Sequence, residues 1–282
     1  MILTGCLILN SASANEPVAV NRSMNLLRKT TLALLQEGNE RYVSGTLKHP
    51  HTDAAQRSAT ALEGQEPYVT VLACSDSRVP VELIFDRGIG EIFTIRVAGN
   101  VADTDEIATI EYGVGHLHTP LVVVMGHTRC GAVTAVVQGA ELHGLLPQLV
   151  DNIKPAVESS RQTGGDEKTV IANAIKANVW QAVADVLRRS SIVRAELAAG
   201  NVSVVGAVYD LETGGVEWLG EHPDQHKIIE AYKVESKPVA VPTRAPAPGI
   251  HGPPAEPVSP AATTAPVASA AQADGGHAAP GH

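Results

Sequence analysis

The sequence predicts an α/β fold: an open, mainly parallel central β-sheet flanked by helices, with an N-terminal helical arm and a C-terminal edge hairpin. Three observations predict it. Short apolar runs at 68–73, 92–97 and 121–125 show little alternation, as strands buried on both faces do. Helical patterns separate them, notably over 105–117 and 132–138, giving the β-α-β-α order of a parallel sheet. Further on, Val202–Val208 and Val216–Leu219 flank a Gly214-Gly215 turn, which reads as a hairpin.

From the N-terminus, Met24–Val43 reads as an amphipathic helix with Leu27, Leu34 and Leu35 on one face and Gly45 beyond its end. A second helical stretch precedes Gly64, and the strands and helices of the sheet follow. Leu145–Leu197 then reads as helical throughout, broken at Gly164-Gly165. There is no internal repeat.

Both ends depart from this pattern. Residues 1–23 read as a truncated export signal and linker. Ile2–Leu9 is mostly apolar and Ala12-Ser13-Ala14 fits a small-residue cleavage site, although the positive n-region is missing. Leu3-Thr4-Gly5-Cys6 also resembles a lipobox, which would make Cys6 a lipid anchor. The expectation is export to the periplasm or cell envelope, and a cytoplasmic location if the segment is not a signal. No other stretch approaches the ~20 apolar residues a membrane span needs. From 234 to 282 the chain turns to Pro, Ala, Gly and small polar residues, with no large apolar residue after Ile250, so disorder is expected. One domain, 24–233, lies between.

Composition narrows the function. An apolar share of 44% supports a core, but an aromatic share of 3% leaves Val, Ile, Leu and Ala to fill it. A net charge of -9, spread along the chain, argues against nucleic acid as a partner. The three cysteines, Cys6, Cys74 and Cys130, are not a disulfide framework.

Two of these cysteines follow buried strands, in Val71-Leu72-Ala73-Cys74-Ser75-Asp76-Ser77-Arg78 and Val122-Val123-Val124-Met125-Gly126-His127-Thr128-Arg129-Cys130-Gly131. Two cysteines and a histidine, with a carboxylate close by, are donors that suit zinc. His127 and Cys130 form a chelating pair at the mouth of a helix, whose N-terminus favours a thiolate. Gly126 and Gly131 let the backbone approach. Three such ligands rather than four leave an exchangeable position. Asp76 is its natural occupant, and Arg78 can withdraw Asp76 as a charge-assisted pair. The position then opens to water, whose pKa zinc lowers to about 7. A lone strand-end cysteine is commonly just buried. Two motifs at the ends of adjacent strands converge on one crevice and favour the metal.

Cys74-Ser75-Asp76-Ser77-Arg78-Val79-Pro80 and Gly126-His127-Thr128-Arg129-Cys130-Gly131 resemble the two signatures of the β-class carbonic anhydrases. Glu37–Tyr42, Arg96–Asn100 and Ile110-Glu111-Tyr112 agree, and the similarity spans 24–219. The resemblance implies a zinc lyase that reversibly hydrates carbon dioxide to bicarbonate and a proton. It implies Cys74, His127 and Cys130 as zinc ligands, Asp76 as an exchangeable fourth, and Asp76 with Arg78 as the catalytic dyad. It also implies a substrate pocket shared across a homodimer or higher even oligomer. In that pocket Gln65 would hydrogen-bond substrate, Phe93 and Tyr112 would form an apolar wall lent by the partner subunit, and Gly131 would offer a backbone donor. Val71 stands where bicarbonate-regulated members carry tryptophan, so no bicarbonate switch is expected even though Arg96 is present.

Two other functions compete. One is a carbon disulfide or carbonyl sulfide hydrolase on the same scaffold. The other is a noncatalytic zinc or bicarbonate-binding sensor, against which the presence of Asp76 and Arg78 argues. No His-Glu-x-x-His helix supports a metalloprotease. His49, His51, His116, His118 and His143 are candidates for moving the proton to buffer.

Overall fold

The computed structural model describes residues 16–232. The export-signal motif, Cys6 and the 234–282 tail lie outside the described residues. Among the described residues no helix is long and apolar enough to cross a membrane.

Five strands form one sheet: β1 (Val69–Cys74), β2 (Ile92–Val97), β3 (Leu121–His127), β4 (Ser203–Tyr209) and β5 (Val216–Gly220). Their order is β2-β1-β3-β4-β5. The first four are parallel, and β5 runs antiparallel to β4 at the edge, as the hairpin reading expected. Every residue of β1 and β3 is buried, which is why those segments read as unbroken apolar runs. Alternate side chains still go to different layers. Val71, Ala73, Val123 and Met125 pack in one core with Leu35 and Phe85. Leu72, Cys74, Val122 and Val124 pack in the other. The register pairs Cys74 with Val97 across β1–β2, Ala73 with Met125 across β1–β3, and His127 with Tyr209 across β3–β4. Cys74 and His127 therefore end adjacent central strands at their carboxyl edge.

The helices are α1 (Glu16–Ser44), α2 (Ala54–Glu63), α3 (Val81–Ile84), α4 (Thr104–Gly115), α5 (Gly131–Gln138), α6 (Leu146–Asp151), α7 (Lys154–Gln162), α8 (Glu167–Arg189), α9 (Ser191–Ala199) and α10 (Gln225–Ala231). Local chemistry sets their ends. Asp103 and Glu106 form a capping box at the start of α4, and Asp166 caps α8 by accepting from the Thr169 amide. The stretch expected to be helical from 145 to 197 resolves into four helices. The break at Gly164-Gly165 is there, but Pro155 opens α7 and the Ser190 hydroxyl caps α9, and these add two more.

The arm α1 buries a different stripe from the one expected. Thr31, Leu35 and Asn39 are buried, whereas Leu27 is 44% exposed. Gly38 lies against the end of α3, where a Cβ would overlap the Phe85 carbonyl. Asn39 ties α1 to the hairpin: its Nδ2 donates to the Gly214 carbonyl at 2.8 Å and its Oδ1 accepts from the Val216 amide at 2.9 Å.

Candidate metal centre and active site

Cys74 ends β1, His127 ends β3, and Cys130 is the residue before α5. A short turn joins the last two, with Arg129 in the left-handed region at φ 57°. The turn is pinned by the Thr128 amide donating to the Tyr209 carbonyl at 2.9 Å and by the Thr128 hydroxyl accepting from the Leu211 amide at 3.0 Å. As a result one potential ligand atom from each of Cys74, His127 and Cys130 lies within 4.8 Å of the other two, and all three residues are buried.

The imidazole shows what this cluster is built for. His127 Nδ1 lies 2.9 Å from the Thr128 carbonyl oxygen. A carbonyl only accepts, so Nδ1 carries the proton and Nε2 presents its lone pair. That Nε2 is buried without a hydrogen-bond partner. Buried polar atoms are rarely left so. An orphaned nitrogen beside two sulfurs is a donor set that zinc satisfies.

The thiols are already biased toward binding a cation. A hydrogen bond from Cys130 pulls the Cys74 thiol down to about 4, with the Asp76 and Gly99 amides helping and burial opposing. The same contact with Cys74, together with burial, pushes Cys130 up. Metal affinity at such a pair is pH-dependent, because thiols must lose their protons to act as ligands.

Asp76 and Arg78 flank the cluster. Arg78 donates to Asp76 Oδ1 from its backbone amide and from Nε, both at 2.9 Å, and to Oδ2 from Nη2 at 2.7 Å. This pairing holds the Asp76 carboxyl well below the usual carboxylate range. Asp76 Oδ2 lies 3.9 Å from His127 Nε2, so the carboxylate faces the cluster while Arg78 engages both of its oxygens. Arg96, noted in the sequence as present although no bicarbonate switch is expected, has a local task. Its Nε donates to the Cys74 carbonyl at 3.1 Å and its Nη2 to the Asp76 carbonyl at 2.5 Å.

The pocket residues expected from sequence divide into two groups. Gly131 opens α5 directly after Cys130. Phe93 instead pairs with Thr70 at the amino end of the sheet. That is four residues back from the Cys74 level, roughly 13 Å at a strand's rise. Tyr112 goes with it, its ring centroid 5.8 Å from that of Phe93 and its side chain reaching solvent. Gln65 is exposed ahead of β1. Within one chain, then, the aromatic wall does not sit at the carboxyl edge with the metal ligands. Of the candidate proton carriers, His116 stacks on Tyr112 at 5.2 Å, and His51 pairs with Glu91 at 3.3 Å.

The sequence model of the carbonic anhydrase family matches residues 69–216, which takes in both motifs and more than half of the chain. The chain belongs to the β-class carbonic anhydrases. Carbonic anhydrase 2 of Mycobacterium tuberculosis is 37% identical over 184 residues, covering 64% of this chain and 87% of that protein. Among solved structures, a β-carbonic anhydrase of the fungal pathogen Aspergillus fumigatus matches with a TM-score of 0.58 at 27% identity, over 63% of this chain and 86% of that one. A structure from work on two tetrameric β-carbonic anhydrases of Sordaria macrospora matches with a TM-score of 0.54 at 27% identity, over 59% of this chain and 89% of that one.

Proposed function

We propose that this carbonic anhydrase works with zinc held by Cys74, His127 and Cys130, and that it interconverts carbon dioxide and bicarbonate with Asp76 and Arg78 as its dyad. The observation that carries the reading is the buried, unpartnered Nε2 of His127 between two thiols, with Asp76 drawn toward Arg78 beside it. Zinc at such a site supplies Lewis acidity and brings the pKa of a water to about 7.

The chain's own groups do the rest. Arg78 keeps Asp76 away from the exchangeable position. Because Arg78 also keeps Asp76 ionised, its carboxylate accepts a hydrogen bond from the nucleophilic water and orients it. The α5 N-terminus, with the Gly131 amide first in line, stabilises charge developing on the bicarbonate oxygens. Arg96 ties the main chain of Cys74 to that of Asp76 and so helps set the dyad relative to the ligand.

The aromatic wall requires a second copy of the chain. We take the catalytic unit to be a homodimer or a higher even oligomer, in which Phe93, Tyr112 and Gln65 of one subunit complete the pocket of the other. The tetrameric fungal relatives support an oligomer. From the sequence of residues 1–23 we place the enzyme in the periplasm or cell envelope, reached by cleavage after Ala14 or by lipidation at Cys6.

The test of the metal is reconstitution. Purified protein stripped with a chelator should lose carbon dioxide hydration and regain it with one zinc per chain, while Cys130→Ser should neither retain zinc nor recover. Full hydration by the stripped protein would sink the proposal. Zinc retention without hydration would point to a sensor, and faster sulfide release from carbon disulfide than hydration would point to the hydrolase.

A further inference from the structure

Helix α8 packs against β3 and β4 with an apolar face of Ala174, Ile175, Val179 and Ala182, all buried. Asn178 interrupts that face and is itself 1% exposed. A buried amide of this kind is retained where it is hydrogen-bonded. Its Nδ2 donates to the Gly99 carbonyl at 2.7 Å.

Gly99 is the residue on which two contacts meet. It sits in the short 3-10 turn Ala98–Asn100 with φ 74° and ψ 16°, a left-handed conformation. A Cβ there would come within 2.7 Å of Ile153 Cδ1 and 3.2 Å of the Ala132 Cβ, so sterics as well as φ call for glycine. In this conformation the Gly99 amide donates to Cys74 Sγ at 3.3 Å while its carbonyl faces α8. The neighbouring Asn100 is buried at φ 45°, and its Nδ2 has no partner. Among the described residues, Asn178 is the one side-chain donor that reaches the turn.

We propose that Asn178 is a positioning residue for the metal centre, acting through Gly99 on the sulfur of Cys74. The link rests on the metal reading above. It runs from Asn178 Nδ2 to the Gly99 oxygen, and from the Gly99 nitrogen to Cys74 Sγ. By fixing the turn it holds an N–H against the sulfur, which sets both the direction of the thiolate lone pairs and the electron density the sulfur offers a metal. Removing a partner bonded directly to a ligand commonly weakens metal binding by about 10–100-fold, which sets the upper limit for Asn178, one bond further out.

Asn178→Leu removes the donor while keeping the branched outline of the amide, and Val186→Ala on the same helix is the control for altered packing. Val186 is fully buried and none of the hydrogen bonds to Gly99 involves it. Zinc affinity is read by chelator competition, the thiolate-to-cobalt charge-transfer band is read on cobalt-loaded protein, and urea unfolding reports stability. N178L should bind zinc more weakly than wild type, by up to about 10–100-fold, and shift the cobalt band. V186A should lose stability yet bind as wild type does. Wild-type affinity and an unshifted band in N178L would overturn the link, as would an equal loss of affinity in V186A. If N178L does not fold, Asn178→Ala is read by the same two measurements and decides it in the same way. Failure of the wild-type protein to bind zinc would overturn the metal centre itself rather than this link.

Discussion

If each pocket takes its metal ligands from one subunit and its aromatic wall from another, two inactive variants should repair each other. Asp76→Ala removes the dyad carboxylate, and a positioned group of this kind is worth about 10²–10⁴ in rate. Tyr112→Ala removes a side chain that is 46% exposed in the single chain and packs on Phe93 and His116, so the fold should survive. Losing a side chain that positions substrate can cost on the order of 10²-fold in rate. When the two are co-expressed in equal amounts and assemble at random, a site is intact only if its metal half comes from the Tyr112→Ala chain and its wall from the Asp76→Ala chain. Each condition holds for half of the sites, so about one quarter of wild-type specific activity should return, whatever the size of the symmetric oligomer. The assay is stopped-flow hydration on the whole co-expressed mixture, with different tags on the two chains used to show that hetero-oligomers have formed. Activity no greater than the mean of the two parents would refute the shared pocket.

Other outcomes follow from the same contacts. Burial pushes the Asp86 carboxyl up, and Arg41 at 2.5 Å with the Lys48 and His49 amides more than reverses this, so its pKa is depressed in the fold. Stability from such a group is present above the unfolded value of about 3.9 and is lost as pH falls through the folded one. Asp86→Asn should therefore lower stability by about 1–3 kcal/mol at pH 7, the Arg41 end being partly screened. In urea titrations the gap from wild type should close below about pH 4; a gap that stays constant from neutral to acid pH would contradict this. Gly38→Ala should lower the urea midpoint strongly, because its Cβ meets the Phe85 carbonyl and overpacking costs typically 1–3 kcal/mol; an unchanged midpoint would mean α1 does not pack there. Val71 is fully buried in the α1-side core, so bicarbonate should inhibit along a simple hyperbola. Sigmoidal loss of activity would show a regulatory site after all.

Much of this was legible in the sequence for identifiable reasons. The strand at 92–97 has the limits expected, and β3 runs only two residues past the apolar run, because Gly126 and His127 continue the ladder against Val208 and Tyr209. The metal cluster was legible because two motifs, each weak alone, follow adjacent strands. The exposure of Leu27 was not, since the arm packs through Thr31, Leu35 and Asn39, and helical periodicity does not say which stripe meets the sheet. The separation of Phe93 and Tyr112 from the metal ligands depends on strand register, which motif spacing does not encode. Asn178 did leave a trace, a polar residue between Ile175 and Val179 on an apolar helix face, but its partner Gly99 is 79 residues away and only the fold joins them.

The most direct test of the central claim is carbon dioxide hydration by stopped flow on zinc-loaded protein, wild type beside Asp76→Ala, from about pH 6.5 to 9, a range that brackets a zinc-water pKa near 7. Fast hydration that rises with pH in the wild type and collapses in the variant, with equal zinc in both, is the predicted result. No hydration by zinc-loaded wild type at any pH, or an undiminished rate in Asp76→Ala, would contradict it.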